Sequence, residues 1–304
     1  MRTSRKNVLG AASLALVLLL GACGSGEDGD GSDGGGNEDK GEVTVGDDSF
    51  PESQIVAEMY AAVLENAGYT VDRKSSDTRE IRLPAMEKGE IDVAPEYLAT
   101  LLSVLDPESS RVSTPEDALS ELGPLVEEKG LALLEASDAV DTNVFVVTPE
   151  VAEQYSSLSD LAPDAGDLTL GGPAECPKRP YCIPGLKEVY GIEFGDFRSL
   201  EYGDATVAAL QEGEVDVALL FSTDGIITAS DLIVLEDDQG LQAADNITPL
   251  VNAETLNDEI EGLLNDVSAL LTTENMTQLN TRVGVDQEDP DAVAVEFLED
   301  EGLL

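Results

Sequence analysis

Met86-Glu87-Lys88-Gly89-Glu90-Ile91-Asp92-Val93-Ala94-Pro95-Glu96-Tyr97 is answered later in the chain by Leu210-Gln211-Glu212-Gly213-Glu214-Val215-Asp216-Val217-Ala218-Leu219-Leu220-Phe221. Five of the twelve aligned positions are identical and both copies end on an aromatic. Each copy reads as the last turn of a helix, a Gly able to take the left-handed closing position, and a buried strand. The strand carries a ring to its C-terminal end, where open α/β sheets place their ligands. Two such units predict two similar lobes, each lending one aromatic to a shared cleft. So short a repeat of a helix-to-strand joint can also recur by chance.

Outward from the repeat, strands and helices alternate. Val43 and Val45 mark a first strand, and Pro51 starts a helix whose Ile55, Val56, Met59, Val63 and Leu64 keep helical spacing up to Gly68. Tyr69 and Val71 give a second strand, and a helix from about 78 to 88 leads into the first repeat strand at 90–94. A helix is expected through Leu98 to Leu105, and another from Pro115 to Gly130 with Thr114 as N-cap and a kink at Pro124. After an extended stretch at 131–134, a second series opens at Val144–Val147. It continues through 168–170, a helix near 186–190, a helix at 205–212, the second repeat strand and an extended segment at 232–235. The C-terminal region changes character. Leu256, Ile260, Leu263, Leu264, Val267, Leu270 and Leu271 trace one long amphipathic helix, and two more follow, the last opened by Asp289-Pro290. Terminal helices returning to the first lobe imply two crossings, near 142–146 and 246–251, and therefore a hinge.

The N-terminus sets the compartment. Arg2, Arg5 and Lys6 precede an apolar run from Val8 to Leu20 and then Gly21-Ala22-Cys23. This is the layout of a secretory signal, too short to span a membrane comfortably. Cys after Leu-Gly-Ala is similar to the lipobox of bacterial lipoproteins, so Cys23 is the expected lipidation site. Residues 24–41 are rich in Gly, Ser and Asp with no large apolar side chain, which makes a flexible charged tether.

The chain has 304 residues, 16 basic and 63 acidic, for a formal charge of −47. Cleavage before Cys23 removes three basic residues and no acid, so the mature chain lies near −50. That field disfavours nucleic acid and anionic membrane surfaces as partners. There is no His, which removes the commonest general base and metal ligand. With Cys23 lipidated, only Cys176 and Cys182 remain, too few for a cysteine-built metal site. No phosphate loop or nucleophile elbow is present, so no cofactor or metal is expected, and the reading is binding without catalysis.

The segments Val43-Thr44-Val45-Gly46, Ser49-Phe50-Pro51-Glu52 and Gly89 to Tyr97 resemble the ABC-transporter binding proteins for glycine betaine, carnitine and choline. Asn143-Val144-Phe145, Arg179-Pro180, Pro184-Gly185-Leu186, Phe221-Ser222-Thr223-Asp224-Gly225 and Val234 to Asp238 continue the likeness in order. The resemblance implies a type II periplasmic-binding-protein fold: two α/β lobes, a hinge, and a ligand cleft between them. The implied division is 1–22 signal peptide, 23–41 tether, 42–143 plus 248–304 lobe I, and 144–247 lobe II. The implied partners are a small zwitterionic or cationic solute and a membrane permease, with the protein a monomer held at the outer face of the cell membrane through Cys23.

In that family tyrosines cage a quaternary ammonium and an Arg holds the ligand carboxylate. The resemblance places Tyr97 at the first cage position with Thr100 one turn beyond, Phe145 at the second, Phe221 at the third, Asp245 at the fourth, and Arg179 at the carboxylate. Ser49 and Phe50, at the first strand-to-helix turn, are expected to line the same cleft. Phe keeps the ring face that attracts a cation, at about 0.5–2 kcal/mol per ring. Asp245 leaves three readings open: it favours a net-positive ligand such as choline, accepts hydrogen bonds from a lesser amine, or turns to solvent. A different amine, amino acid or aromatic solute on the same fold, or a surface lipoprotein without transport, stays open beside the first reading. Cys176 and Cys182 flank Arg179, and outside the cytoplasm two Cys so close should pair and stiffen its loop.

Overall fold

The two copies of the repeat fold alike, and the computed structural model shows why each residue is needed. It describes residues 40–76, 78–107, 112, 114–243 and 245–304; the signal peptide, Cys23 and the tether up to 39 lie outside the described residues. The chain begins with β1 (Glu42–Asp48), α1 (Pro51–Ala67), β2 (Thr70–Ser76), α2 (Arg79–Glu87), β3 (Val93–Tyr97), α3 (Leu98–Leu105), α4 (Pro115–Glu127) and β4 (Leu131–Leu133). A second series holds β5 (Asn143–Val147), α5 (Pro149–Ala152), α6 (Leu158–Leu161), β6 (Thr169–Gly172), α7 (Ile183–Gly185), β7 (Asp196–Ser199), α8 (Asp204–Gln211), β8 (Val217–Phe221), α9 (Gly225–Ala229) and β9 (Ile233–Val234). The chain then returns through β10 (Ile247–Asn252) and ends in α10 (Asp258–Leu270), α11 (Thr273–Gly284) and α12 (Pro290–Glu301).

Gly89 (φ 68°) and Gly213 (φ 70°) both take the left-handed conformation that closes the preceding helix. The next amides then return to the helix, Glu90 N to Ala85 O at 2.9 Å and Glu214 N to Ala209 O at 2.8 Å. The shared Asp pins the incoming strand to its neighbour. Asp92 Oδ2 accepts from Thr44 N at 2.8 Å, and Asp216 Oδ2 accepts from Thr169 N at the same distance. These turns use up residues 90–92, so β3 starts at Val93, three residues later than its apolar pattern predicts.

The first sheet has the order β2-β1-β3-β10-β4 and the second β7-β6-β8-β5-β9. In each, parallel strands fill one side, and a strand that comes from the other lobe inserts antiparallel next to the repeat strand. Alternation along the strands divides the cores. Val93 and Tyr97 join the cluster built on α1 and the C-terminal helices, while Ala94 faces the opposite cluster with Leu98 and Leu101. In β8, Val217 and Leu219 face one cluster and Ala218 and Leu220 the other.

The crossings fall between β4 and β5 and between β9 and β10, a few residues before the stretches named from the sequence. The two segments lie side by side: Asp141 N donates to Asp245 O at 3.1 Å, Ile247 N donates to Ala139 O at 3.1 Å, and Val140 pairs antiparallel with Asn246. Thr114 caps α4 through Asp117 N at 3.2 Å, and α4 runs on through Pro124. Asn257 caps α10 by accepting from Glu259 N and Ile260 N at 3.0 Å. Cys176 and Cys182 form a disulfide with Cα atoms 5.3 Å apart.

Candidate functional site

Both repeat strands end at one cavity of about 220 Å³ between the sheets. It is smaller than the roughly 300–1,000 Å³ typical of drug-sized pockets, a size for a small solute. Seven of the residues singled out from the sequence line it: Ser49, Phe50, Tyr97, Thr100, Arg179, Phe221 and Asp245.

Four rings form a connected wall drawn from both lobes. Phe50 stands at the turn between β1 and α1, and its ring centre lies 6.1 Å from Tyr97, 5.7 Å from Phe221 and 6.0 Å from Tyr202. Tyr202 and Phe221 are 4.7 Å apart. Tyr202 lies in the loop between β7 and α8, where neither repeat nor motif marks it.

Phe145 requires a correction. It is only 2 % exposed, packed among Cys176, Cys182, Leu219 and Leu241 in the core of the second lobe, and it does not line the cavity. The residue of β5 at the cleft is Asn143, which pairs with Phe221, whereas Phe145 pairs with Leu219. Asn143 and Phe145 share a face of the strand, so pleating cannot separate them. Two residues of rise, about 6–7 Å, carry Phe145 into the core.

Beneath the rings lies a set of buried carboxylates. Tyr97 Oη donates to Glu52 Oε1 at 2.9 Å, and Tyr202 Oη donates to Asp224. Glu52 also accepts from Thr223 Oγ1 at 2.6 Å and Asn280 Nδ2 at 2.8 Å, so it ties α1 to the second lobe and to α11. Burial raises the Glu52 carboxyl above its ordinary range, against the pull of those hydrogen bonds. Burial, and then the charge of Glu52, lift Asp141 well above its usual value. Asp224 is pushed up to about 6, again by burial. Tyr97 and Tyr202 stay protonated because burial and the neighbouring carboxylates raise both phenols. A neutral phenol donating to a carboxylate keeps an electron-rich face for a cation.

Asp245 neither stands as a bare counter-ion nor turns to solvent. Its carboxylate accepts from Thr100 N at 3.0 Å and from Thr100 Oγ1, so it caps the first turn of α3 from a distance. Burial pushes it up to about 6. Ser49 is likewise occupied, its Oγ donating to Ser76 O at 3.1 Å and sharing a hydrogen bond with Ser75.

At the far end of the cavity are two guanidiniums. Arg179, in the disulfide-bounded loop of the second lobe, donates from Nη2 to Glu80 Oε1 of α2 at 2.7 Å, an ion pair across the cleft. Arg79, the first residue of α2, has its Nε 2.9 Å from both oxygens of Glu96. Arg82 completes that set, bonding Asp48 at 3.0 Å through Nε and Nη2 and Glu96 at 2.9 Å. Two buried cations thus face two buried anions, each with several hydrogen bonds, as burial of charge requires.

Comparison with known proteins agrees with this architecture. Residues 41–300 match the family model for the substrate binding domain of ABC-type glycine betaine transport systems, OpuAC. The chain is 28 % identical over 276 residues to the glycine betaine-binding protein YehZ of Escherichia coli (strain K12), covering 86 % of this chain and 90 % of that one. It is 28 % identical over 270 residues to the carnitine transport binding protein OpuCC of Listeria monocytogenes serotype 1/2a (strain 10403S), covering 86 % and 87 %. A crystal structure titled as a glycine betaine/carnitine/choline ABC transporter superposes with a TM-score of 0.68 at 27 % identity, covering 86 % of this chain and 99 % of that one. The twin sheets, the cavity between them and the match across nearly all the described chain have one reading: this protein belongs to the OpuAC family of ABC-transporter substrate-binding domains.

Proposed function

We propose that the protein captures a quaternary ammonium osmoprotectant, glycine betaine, carnitine or choline, outside the cytoplasm and hands it to an ABC permease. The observation that carries the ligand class is the wall of Phe50, Tyr97, Tyr202 and Phe221 contributed by both lobes. A trimethylammonium group donates no strong hydrogen bond, so ring faces are what can hold it, at about 0.5–2 kcal/mol each. Arg179 lies at the other end for a ligand carboxylate. A solute touching both lobes stabilises the closed form by its contacts there, and the permease reads that form. Lobe I comprises 42–143 and 248–304, and lobe II 144–247. The protein acts as a monomer without enzymatic activity, tethered through lipidated Cys23 at the outer face of the membrane. Asp245 is committed to Thr100, which favours a quaternary ammonium over an amine needing hydrogen-bond acceptors.

Calorimetric titration with glycine betaine, carnitine, choline, proline and a polyamine tests the ligand class. Heat with the first three and none with the others is expected; tight binding of proline or a polyamine alone would refute it. For the anchor, Cys23→Ala should release the protein from the cell into the medium, and unchanged membrane retention would contradict lipidation.

A further inference from the structure

Arg79 is a cation without a finished set of partners. It is 7 % exposed, and its Nε bonds Glu96, but its two Nη groups donate to no described residue although the side chain lines the cavity. A guanidinium has five N–H donors, and buried donors are normally matched. The unmatched ones lie where the opposite lobe presents Arg179, itself half-committed to Glu80. The two guanidiniums sense each other: after burial, the charge of Arg79 is the largest influence holding the Arg179 guanidinium below its ordinary value. Like charges brought together in a closed cleft call for an anion between them.

We propose that Arg79 is a second ligand-binding arginine and forms with Arg179 a two-armed clamp for a carboxylate, one arm from each lobe. The clamp rests on the reading of the site as a quaternary ammonium pocket and narrows it to zwitterions whose cation and carboxylate lie at opposite ends. Glu96 and Arg82 hold Arg79 in place, so its fork is set before the ligand arrives and loses little freedom on binding. Charge-assisted bonds of this kind are among the stronger ones in proteins. The carboxylate joins α2 of the first lobe to the disulfide loop of the second, which couples recognition of the acid group to closure. Choline, lacking a carboxylate, leaves both arms unsatisfied.

The test is calorimetry of the purified protein and of Arg79→Gln and Arg79→Lys with glycine betaine, carnitine and choline. The unaltered protein should bind the two carboxylates at least tenfold more tightly than choline. Arg79→Gln should lose tenfold or more for the carboxylates and less than threefold for choline. Arg79→Lys, which keeps a charge beside Glu96, should also lose selectively. Equal losses for all three ligands, or none, would overturn the clamp. If Arg79→Gln does not fold, choline bound by the unaltered protein as tightly as glycine betaine overturns it alone. Absence of heat with every quaternary ammonium sinks the parent reading and the clamp with it, an outcome distinct from binding without selectivity.

Discussion

Acidification should stabilise this protein, the reverse of the behaviour of most folds. Asp224 and Asp245 are raised by burial from the usual 3.8 to about 6. A carboxyl whose folded value exceeds its unfolded value contributes stability that is complete below the unfolded value and is lost as pH rises through the folded one. Between pH 4 and 6 the native state therefore holds protons that the unfolded chain has released. Lowering the pH from 7 to 5 should add about 1 kcal/mol for each of the two groups, or roughly 2–3 kcal/mol together. Glu52 and Asp141, raised in the same direction, add to the trend, as does relief of repulsion among 63 acidic side chains. Urea unfolding at pH 5, 6, 7 and 8 reads the effect directly. Asp245→Asn and Asp224→Asn should each flatten the slope by about 1 kcal/mol over that span. Stability that falls or stays level from pH 7 to 5 would refute the reasoning, and so would a slope untouched by both substitutions.

Tyr202→Ala should weaken binding of glycine betaine by about tenfold or more, as expected for losing one ring contact worth up to about 2 kcal/mol; unchanged affinity in calorimetry would remove Tyr202 from the site. Phe145→Ala should cost about 3–5 kcal/mol of stability by emptying a core position, while the folded fraction keeps its affinity; a selective loss of affinity would return Phe145 to the cavity. Glu80→Ala breaks a half-exposed ion pair and should change stability by less than about 1 kcal/mol. It should also shift the ligand-free protein toward an open form, and an unchanged small-angle scattering profile would count against that role. Replacing Cys176 and Cys182 together by Ser should cost about 2 kcal/mol in the chain-entropy model for so short a loop, measured by thermal or urea unfolding.

The fold was legible because its signals are local. Gly89, Asp92, Gly213 and Asp216 each perform a backbone task that only their residue type does well, so recurrence of the pattern means recurrence of the joint. The rings at the ends of β3 and β8 followed from strand direction alone. What stayed hidden depends on depth and on loops. Alternation assigns Phe145 to the right face of β5 but says nothing of how far along the strand the cleft ends. Tyr202 arrives from a loop whose course is set by tertiary packing. Arg79 sits in a stretch holding two arginines, Arg79 and Arg82, and only the partners distinguish the one facing the cavity from its fully buried neighbour. Glu52 gave the weakest signal, since in a chain this acidic no single carboxylate stands out before its burial is known.

The side-by-side crossings between the lobes carry a mechanical consequence. Two chain segments joined by hydrogen bonds between Asp141 and Asp245 and between Ala139 and Ile247 behave like a ribbon. A ribbon flexes across its thin direction and resists shear and torsion, because those motions stretch its cross-links. Opening is thereby confined to a single swing, and the short strand after each crossing leads straight into the sheet beside the repeat strand. Any solute that fits produces the same swing, so a transporter docking on the outside needs to sense one angle and nothing of the cargo.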